Sequence, residues 1–221
     1  MAIHAALFDI DGTLVDSNYL HVDAWTRAFD DIGHPVDAWR IHRSIGMDGD
    51  KLLEELLPGE DDETRARATD RHSHHYKPNR KRLRAFGKGR ELLRELAARG
   101  ITVVLATSAP ESELKSLREV LSIEDAVDVV TSSEDVETAK PAPDIVQVAL
   151  ERAGVEPNDA VMVGDSVWDV KAAQRAGVAC IGLLAGGTSA QELSAAGAVA
   201  VYSDAADLLA HLDDSPFGSA N

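Results

Sequence analysis

Asp9 and Asp11 stand two residues apart at the end of the first apolar run of the chain, directly before Gly12. If that run is a strand, the two carboxylates point to the same side of it and repel each other unless a cation lies between them. Mg²⁺ is a hard cation that prefers oxygen ligands, so it would relieve this repulsion. An acidic turn after a strand, with no cation, explains the same two residues taken alone.

Other polar residues follow later apolar runs, and each has an ordinary explanation. They are, in chain order, Thr107, Ser108, Lys140, Asp165 and Asp169. Thr107, Ser108 or Asp165 would serve as a helix N-cap, and Lys140 would be a surface lysine. Sites in open parallel α/β sheets, however, form at the carboxyl ends of the strands. At one such edge these residues would bring carboxylates, a cation and hydroxyls together, and that convergence predicts a site.

Six apolar runs predict the strands of a parallel β-sheet. They are residues 3–8, 101–106, 126–130, 160–163, 180–184 and, as an edge strand, 198–202. Segments with helical spacing lie between or after the later runs, at 89–99, 111–121, 142–153, 167–176, 189–196 and 204–212. This alternation is typical of an α/β fold whose parallel sheet carries helices on both faces.

Residues 17–84 break this pattern, because they show helical spacing and no convincing strand. We therefore predict an all-helical cap inserted between the first and second strands, with hinges at 15–17 and 84–89. The predicted division is a core of residues 1–16 and 85–213, a cap of residues 17–84 and a flexible tail of residues 214–221.

The composition excludes several classes of function. No apolar run reaches the ~18 residues that span a membrane, and the N-terminus lacks the pattern of a secretory signal. A formal net charge of -16 would repel nucleic acid. The single cysteine, Cys180, lies in an apolar run, which indicates a buried inert thiol rather than a nucleophile. We predict a cytoplasmic protein with no nucleic-acid or membrane partner, and the oligomeric state stays open.

Four motifs carry a resemblance to a known family. They are Asp9-Ile10-Asp11-Gly12-Thr13, Thr107 after a hydrophobic strand, Lys140-Pro141, and Gly164-Asp165 with Asp169. In this set the chain resembles the haloacid dehalogenase-like (HAD) hydrolase superfamily. The place of the helical insertion is similar to subclass I with a C1 cap, and the pattern is similar to phosphoglycolate phosphatases, β-phosphoglucomutases and sugar-phosphate phosphatases. The resemblance implies a Rossmann-like core and hydrolysis of a small phosphorylated metabolite.

The resemblance also implies the roles of the two N-terminal aspartates. Asp9 would attack phosphorus and form an aspartyl-phosphate. Asp11 would protonate the leaving oxygen and then deprotonate the hydrolytic water, which requires a raised pKa for its carboxyl group. Members of the superfamily that dehalogenate carbon lack this second aspartate, so phosphoryl transfer is favoured.

The same resemblance implies a Mg²⁺ site. Its ligands would be the Asp9 carboxylate, the Asp11 backbone carbonyl and Asp165. Asp169 would reach the metal through a water molecule or orient Lys140.

Phosphate oxygens would be held by a separate set of groups. These would be the Thr107 hydroxyl, the Ser108 backbone N–H and the Lys140 ammonium, which offsets negative charge during transfer. The tight turn at Gly12 would let backbone amides approach the phosphoryl group.

The cap is expected to set specificity. His21 would face the substrate or orient the acid, with a helix-surface histidine as the alternative. Arg43 would meet an anionic group of the substrate, with a solvated side chain as the alternative. Trp25 and Trp39 are predicted to lie in the cap core rather than on a recognition surface.

A histidine cluster in the cap has no assigned role. It consists of His72, His74 and His75. His72 and His75 would share a helix face, but the sequence shows no cysteine or carboxylate partners for a metal site.

Two alternative functions stay open at this stage. Sugar phosphomutases of the β-phosphoglucomutase type usually carry Glu where this chain has Gly164. A non-catalytic binding protein on the same scaffold would not need to keep Asp9, Asp11, Lys140 and Asp165 together. The substrate stays open among phosphoglycolate, a sugar phosphate, a nucleotide monophosphate and a broad range of metabolites.

Overall fold

A parallel β-sheet forms the centre of the molecule. The computed structural model describes residues 2–123, 125–132, 135 and 140–218. Its strands are β1 (Ala5–Phe8), β2 (Thr102–Ala106), β3 (Val129–Thr131), β4 (Ala160–Gly164), β5 (Ala179–Leu183) and β6 (Ala200–Tyr202). All neighbouring strands run parallel in the order β3-β2-β1-β4-β5-β6. The six predicted strands are therefore confirmed, and β6 is an edge strand.

Helices connect the strands. Five α-helices lie between β1 and β2, a range that is described in full. The first four belong to residues 17–84, namely α1 (Asn18–Asp31), α2 (Ala38–Ser44), α3 (Gly49–Leu56) and α4 (Asp62–Asn79). The later helices are α5 (Gly89–Ala98), α6 (Glu111–Leu121), α7 (Asp144–Ala153), α8 (Val167–Arg175), α9 (Ala190–Ala196) and α10 (Ala205–Ala210). The alternation of strand and helix after β2 is the predicted one.

The sheet is buried on both faces, as the continuous apolar runs predict. Successive side chains of a strand point to opposite faces. In β1, Ala6 and Phe8 join the core cluster that contains apolar residues of α5, α6 and α10, while Ala5 and Leu7 join the cluster that contains those of α7 and α8. The structure is thus the predicted α/β, Rossmann-like fold.

The third strand begins later than the sequence indicates. Residues 126–130 were the predicted strand, but β3 starts at Val129. Asp128 is the reason, because its carboxylate accepts a hydrogen bond from the Val103 backbone N–H at 3.0 Å. Its own N–H donates to the Val103 carbonyl, also at 3.0 Å. These contacts lead the chain to the sheet edge before regular pairing starts.

Residues 17–84, which we call the helical insert, pack a hydrophobic cluster of their own. Where the chain enters and leaves the insert, the Asp16 N–H donates to the Arg84 carbonyl at 2.8 Å. Trp25 lies in the hydrophobic cluster of the insert at 6% exposure, as predicted, but it also lines the cavity described below. The prediction for Trp39 is wrong, because this residue is 67% exposed. Trp39 is two positions from the buried Ile41 of α2, and residues so spaced lie on opposite sides of a helix.

The C-terminal segment is more firmly attached than predicted. The sequence predicts a flexible tail over residues 214–221, but Phe217 is buried in the core cluster beside α10. The Ser215 hydroxyl also donates to the Leu212 carbonyl at 2.7 Å. The prediction is therefore wrong for 214–218, and residues 219–221 lie outside the described residues. Within the described ranges, no helix combines the length and apolarity needed to cross a membrane.

Candidate active site

Asp9 and Lys140 form a buried ion pair at the carboxyl end of the sheet. Phe8 is paired with Leu105 of β2 and Val163 of β4, so the residues that follow these strands meet at one edge. Lys140 Nζ lies 2.6 Å from Asp9 Oδ1, and both side chains are almost fully buried. Residues 131 positions apart in the chain are thus brought into contact by the fold.

Asp169 holds Lys140 from the other side. Its Oδ1 lies 2.7 Å from Lys140 Nζ. Its Oδ2 accepts hydrogen bonds from the Ser166 backbone N–H at 3.0 Å and from the Ser166 hydroxyl at 2.7 Å. Ser166 is the N-cap of α8, so a reciprocal capping interaction fixes the aspartate. Both oxygens of Asp169 are therefore engaged, which suits a residue that positions Lys140.

Asp165 is fixed by residues on the opposite side of the same edge. The Thr13 hydroxyl donates to Asp165 Oδ1 and the Asn18 amide donates to Asp165 Oδ2, each at 2.9 Å. A Cβ on Gly186 would overlap the Asp165 carboxylate. Gly12 has a φ of +77°, and a Cβ there would overlap Asn18. Both glycines are required for this close packing.

These carboxylates fit a divalent cation. Carboxylate oxygens of Asp9, Asp165 and Asp169 all lie within 4.8 Å of one another. Burial raises the pKa of Asp9 to about 7, although the Lys140 ammonium opposes the shift. Burial and the charges of Asp169 and Asp9 raise the pKa of Asp165 well above its ordinary value. A hard cation bound to these oxygens would stabilise their ionised forms and so oppose both the burial and the repulsion that raise these pKa values.

The Asp11 side chain points away from this group. The Ser17 hydroxyl donates to Asp11 Oδ1 at 2.5 Å, and His21 Nε2 lies 3.7 Å from the same oxygen. Burial acts to raise the pKa of Asp11, but the hydrogen bonds and charges of His21 and Ser17 lower it below the ordinary value. The expectation of a raised pKa is therefore wrong for this arrangement, because the neighbours of Asp11 stabilise its ionised form.

His21 is linked to His72, one member of the histidine cluster. His21 Nδ1 lies 3.2 Å from His72 Nε2, and the His21 ring stacks on Tyr76 with ring centroids 3.9 Å apart. His72 stacks on Trp25 at 4.1 Å. Burial lowers the pKa of His72 to about 2, so its imidazole is neutral.

The other two histidines of the cluster lie away from the site. His75 Nε2 contacts the Asp31 carboxylate at 2.8 Å on the surface, and His74 meets His75 edge to face. The three histidines therefore do not form a joint metal site, and among the described residues the grouped metal-ligand candidates are aspartates.

Thr107 and Ser108 follow β2 and line the same cavity as Asp9. The Thr107 hydroxyl is buried and accepts a hydrogen bond from the Ala109 backbone N–H at 3.0 Å. Ser108 Oγ is buried and has no hydrogen-bond partner among the described residues. Thr107 thus shapes the loop, and the Ser108 hydroxyl is available to a ligand.

One cavity of about 210 Å³ joins the core residues to the helical insert. Seven of the predicted site residues line it, namely Asp9, Asp11, His21, Thr107, Ser108, Lys140 and Asp165, and so do Trp25 and His72. Arg43 does not line it. Its guanidinium forms an ion pair with Glu192 and its carbonyl accepts from Trp168 Nε1 at 3.0 Å, so the prediction that Arg43 meets the substrate is wrong in this arrangement.

Comparison with known proteins identifies the family of this chain. Residues 6–183 match the haloacid dehalogenase-like hydrolases. The chain belongs to this family. It is 34% identical to a phosphoglycolate phosphatase of Rhodospirillum rubrum, over 92% of this chain and 88% of the relative. It is 30% identical to a phosphorylated carbohydrates phosphatase of Thermotoga maritima, over 90% and 94% of the two chains. A solved hydrolase from Pseudomonas syringae shares 35% identity with a TM-score of 0.90, covering 95% of this chain and 98% of that chain.

Several residues of this HAD-like site were not among the predicted site residues, although Thr13 belongs to the first motif and Ser166 was a candidate helix cap. They are Thr13, Ser17, Asn18, Glu113, Ser166 and Gly186. Thr13 and Ser17 lie close to Asp11 in the chain, so proximity was a usable signal for them. The sequence also carries a signal for Ser166, because Ser-x-x-Asp before a helix indicates a capping box. Gly186 and Glu113 carry no local signal, since only the fold brings them near β1.

Proposed function

We propose that this HAD-like hydrolase is a Mg²⁺-dependent phosphatase of small phosphorylated metabolites that forms an aspartyl-phosphate on Asp9. The observation that carries this proposal is the buried contact between Asp9, Lys140 and Asp169 beside Asp165. One lysine among three buried carboxylates leaves an excess of negative charge, which is unfavourable unless a divalent cation compensates it. The cation and Lys140 together would then attract a dianionic phosphoryl group. The phosphatase names of the relatives support the same activity.

The chemistry follows from the positions of the side chains. A carboxylate oxygen of Asp9 attacks phosphorus, an O–P bond forms, and the bond from phosphorus to the alcohol oxygen breaks. Because its neighbours hold Asp11 ionised, the proton that passes to that oxygen is the one that Asp11 shares with His21, whose pKa the Asp11 carboxylate raises against the effect of burial. Asp11 then takes a proton from the water that attacks the aspartyl-phosphate. His21, next to Asp11, is the group that shares this proton. Release of inorganic phosphate regenerates Asp9.

Charge and orientation are supplied by the surrounding groups. Lys140 offsets the negative charge of the transferred phosphoryl group, and Asp169 keeps the ammonium in place. Ser108 and Thr107 contact phosphate oxygens, whereas the Gly12 N–H, expected from the sequence to approach them, donates to the Val15 carbonyl at 2.8 Å. The Asp9 and Asp165 carboxylates and the Asp11 carbonyl would hold Mg²⁺, which would supply positive charge next to the phosphoryl group.

The helical insert is proposed to act as a cap that closes over this site. His42 Nε2 lies 2.9 Å from the Gly186 carbonyl, and the Asp48 N–H donates to the Lys140 carbonyl at 3.2 Å. Such contacts would seat the insert on the core and exclude water during transfer. We propose hinges at 15–17 and 84–89, where the chain crosses between the two parts.

The residue before Asp165 favours hydrolysis over phosphomutase activity. Phosphomutases of the resembled type carry Glu at this position, whereas here it is Gly164. A Cβ on Gly164 would overlap the Asp169 side chain. A glutamate therefore does not fit this arrangement, which supports the phosphatase.

A cytoplasmic location is also proposed. Its support is that the single cysteine, Cys180, is buried and free. Proteins without disulfides are typical of reducing compartments.

The test is phosphate release from a panel of phosphorylated metabolites, with Mg²⁺ and with a chelator. We expect Mg²⁺-dependent turnover, and Asp9→Asn should lower it by about 10³-fold or more. The control is Asp213→Asn, which removes an exposed carboxylate paired with Arg99.

The panel also separates the alternatives. Isomerisation of a hexose 1-phosphate without phosphate release would favour the mutase. A folded protein with no turnover, whose biological role survives Asp9→Asn, would favour the binding protein.

A further inference from the structure

Among the described residues that line the cavity of the proposed phosphatase, one is a lysine and none is an arginine. All 22 lysines and arginines of the sequence fall in the described part of the chain. Of these described residues only Lys140 lines the cavity, and it lies between Asp9 and Asp169. When a phosphoryl group occupies the place beside Asp9, no further lysine or arginine is left for a second anion.

The lining that the helical insert contributes is uncharged except at His21. It consists of apolar side chains such as Trp25 and Met47, and of polar groups such as Thr69 and Ser73. His72 is neutral because burial lowers its pKa to about 2. Both ring nitrogens of His21 have neighbours, Asp11 on one side and His72 on the other. The alcohol part of a substrate would therefore meet a neutral surface.

Glu113 adds a negative charge to the same cavity. It lies in the first turn of α6, is 8% exposed and lines the cavity with Asp11 and His21. Burial raises the pKa of Glu113, His21 acts to lower it, and the Asp11 charge adds to the rise. Arg80 Nη2 lies 3.9 Å from Glu113 Oε1, but Arg80 does not line the cavity, and its buried Nε has no hydrogen-bond partner among the described residues. A carboxylate at this place repels anions and accepts hydrogen bonds from hydroxyl groups.

We propose that the substrate is the monophosphate ester of an uncharged, hydroxyl-bearing alcohol, and that Glu113 determines this specificity by excluding a second anionic group. This inference rests on the proposed phosphatase function. A second carboxylate or phosphate would be buried beside Glu113 without a cation to pair it, which is strongly unfavourable. A hydroxyl group in its place donates to the Glu113 carboxylate, and the Trp25 ring offers an apolar surface to the carbon skeleton.

The test compares two esters with the same three-carbon skeleton. Glycerol 3-phosphate carries a hydroxymethyl group where 3-phosphoglycerate carries a carboxylate. With the full chain and Mg²⁺, we expect kcat/KM to be about ten-fold or more higher for glycerol 3-phosphate. Phosphoglycolate, which also has a second anion, should be a poor substrate. If neither three-carbon ester turns over, the two are compared as competitive inhibitors of p-nitrophenyl phosphate hydrolysis, and the same order of affinity is expected.

Glu113→Gln separates the role of this residue from the rest of the cavity. The substitution preserves the shape of the side chain and removes its charge. We therefore expect kcat/KM for 3-phosphoglycerate to rise, so that the ratio of kcat/KM for glycerol 3-phosphate to that for 3-phosphoglycerate falls about ten-fold. The matched control is Glu119→Gln, which removes the same charge from an exposed position on α6 and should leave the ratio unchanged.

Each failure has a distinct meaning. A wild-type preference for 3-phosphoglycerate or phosphoglycolate overturns the substrate class, and an unchanged ratio in Glu113→Gln overturns the role of Glu113. In both cases the phosphatase proposal survives. Loss of all phosphate release, including from p-nitrophenyl phosphate, overturns the proposed function itself.

Discussion

At the scale of single residues, the site depends on side chains that hold the reacting groups as much as on the reacting groups themselves. Asp165 keeps its orientation through Thr13 and Asn18, and Lys140 through Asp169. Thr13, Asn18 and Asp169 are all buried. Removing one leaves a buried charge with fewer partners, which is costly and also misplaces the charge.

The first prediction concerns Asn18. Asn18→Ala removes the amide that donates to Asp165 at 2.9 Å and to the Gly186 carbonyl at 3.2 Å. We expect the apparent affinity for Mg²⁺ to fall about ten-fold or more, as for other residues that orient a metal ligand. The measurement is the Mg²⁺ concentration that half-saturates the rise in melting temperature. Asn79→Ala, which removes a 3.4 Å hydrogen bond to Asp23, is the control. An unchanged Mg²⁺ midpoint in Asn18→Ala would contradict the prediction.

The second prediction concerns Cys180. This thiol is 2% exposed, and burial raises its pKa well above the ordinary value. Because the thiolate is the reactive form, we expect the native protein to resist a thiol-reactive reagent at about pH 8 and to react fully once unfolded in guanidinium. Rapid stoichiometric labelling of the native protein would show that β5 opens readily or that the thiol is accessible.

At the scale of elements, the loop between α2 and α3 determines how closely the helical insert meets the core. Gly46 lies in this loop with a φ of +92°, and a Cβ there would lie 2.7 Å from Ser166 Oγ. Ser166 in turn caps α8 and holds Asp169. The Ser166 side chain therefore links the helical insert to Asp169, which holds Lys140.

The third prediction uses this contact. Gly46→Ala should lower kcat/KM by about ten-fold or more, because the added methyl group pushes the insert or Ser166 away from the catalytic geometry. Gly59→Ala is a close control. Gly59 also has a positive φ, +85°, but a Cβ there meets no atom within 4 Å. Both variants carry the same backbone strain, so equal losses of activity would mean that strain, not the contact with the core, is responsible.

At the scale of the whole molecule, repulsion between carboxylates in the active site lowers the stability of the folded protein. The protein carries a net charge of -16, and three buried carboxylates lie within 4.8 Å of one another. Without a cation, Asp9 has a pKa of about 7 in the folded protein, against about 4 for an unfolded chain. A folded state that binds protons more tightly loses stability as the pH rises between these two values.

The fourth prediction follows from this loss of stability as the pH rises. The rise in melting temperature on adding Mg²⁺ should be small near pH 5 and grow up to about pH 7.5, because the cation binds the deprotonated carboxylates and removes their repulsion. Differential scanning calorimetry with Mg²⁺ and with chelator measures the difference directly, so pH effects elsewhere in the protein cancel. In Asp165→Asn the growth with pH should be reduced. A difference that is constant or falls with pH would contradict the assignment of these carboxylates as the cation site.

The fold and the reacting residues were accessible from the sequence because both depend on local patterns. Buried strands read as continuous apolar runs, and polar residues directly after them must meet at the carboxyl edge of a parallel sheet. The sequence alone therefore predicts that Asp9, Thr107, Lys140 and Asp165 meet at one place. It also separates the helical insert, since apolar residues there recur at the helical period of about 3.6 and form no convincing strand.

Only the tertiary structure decided the environment of each group, because environments arise from residues far apart in the chain. It paired Arg43 with Glu192 instead of the substrate, and it exposed Trp39. It placed His21 and Ser17 where they lower the pKa of Asp11. The residue types and their order along the chain determined which chemistry is available, whereas long-range packing and burial decided the charge, partners and accessibility of each side chain.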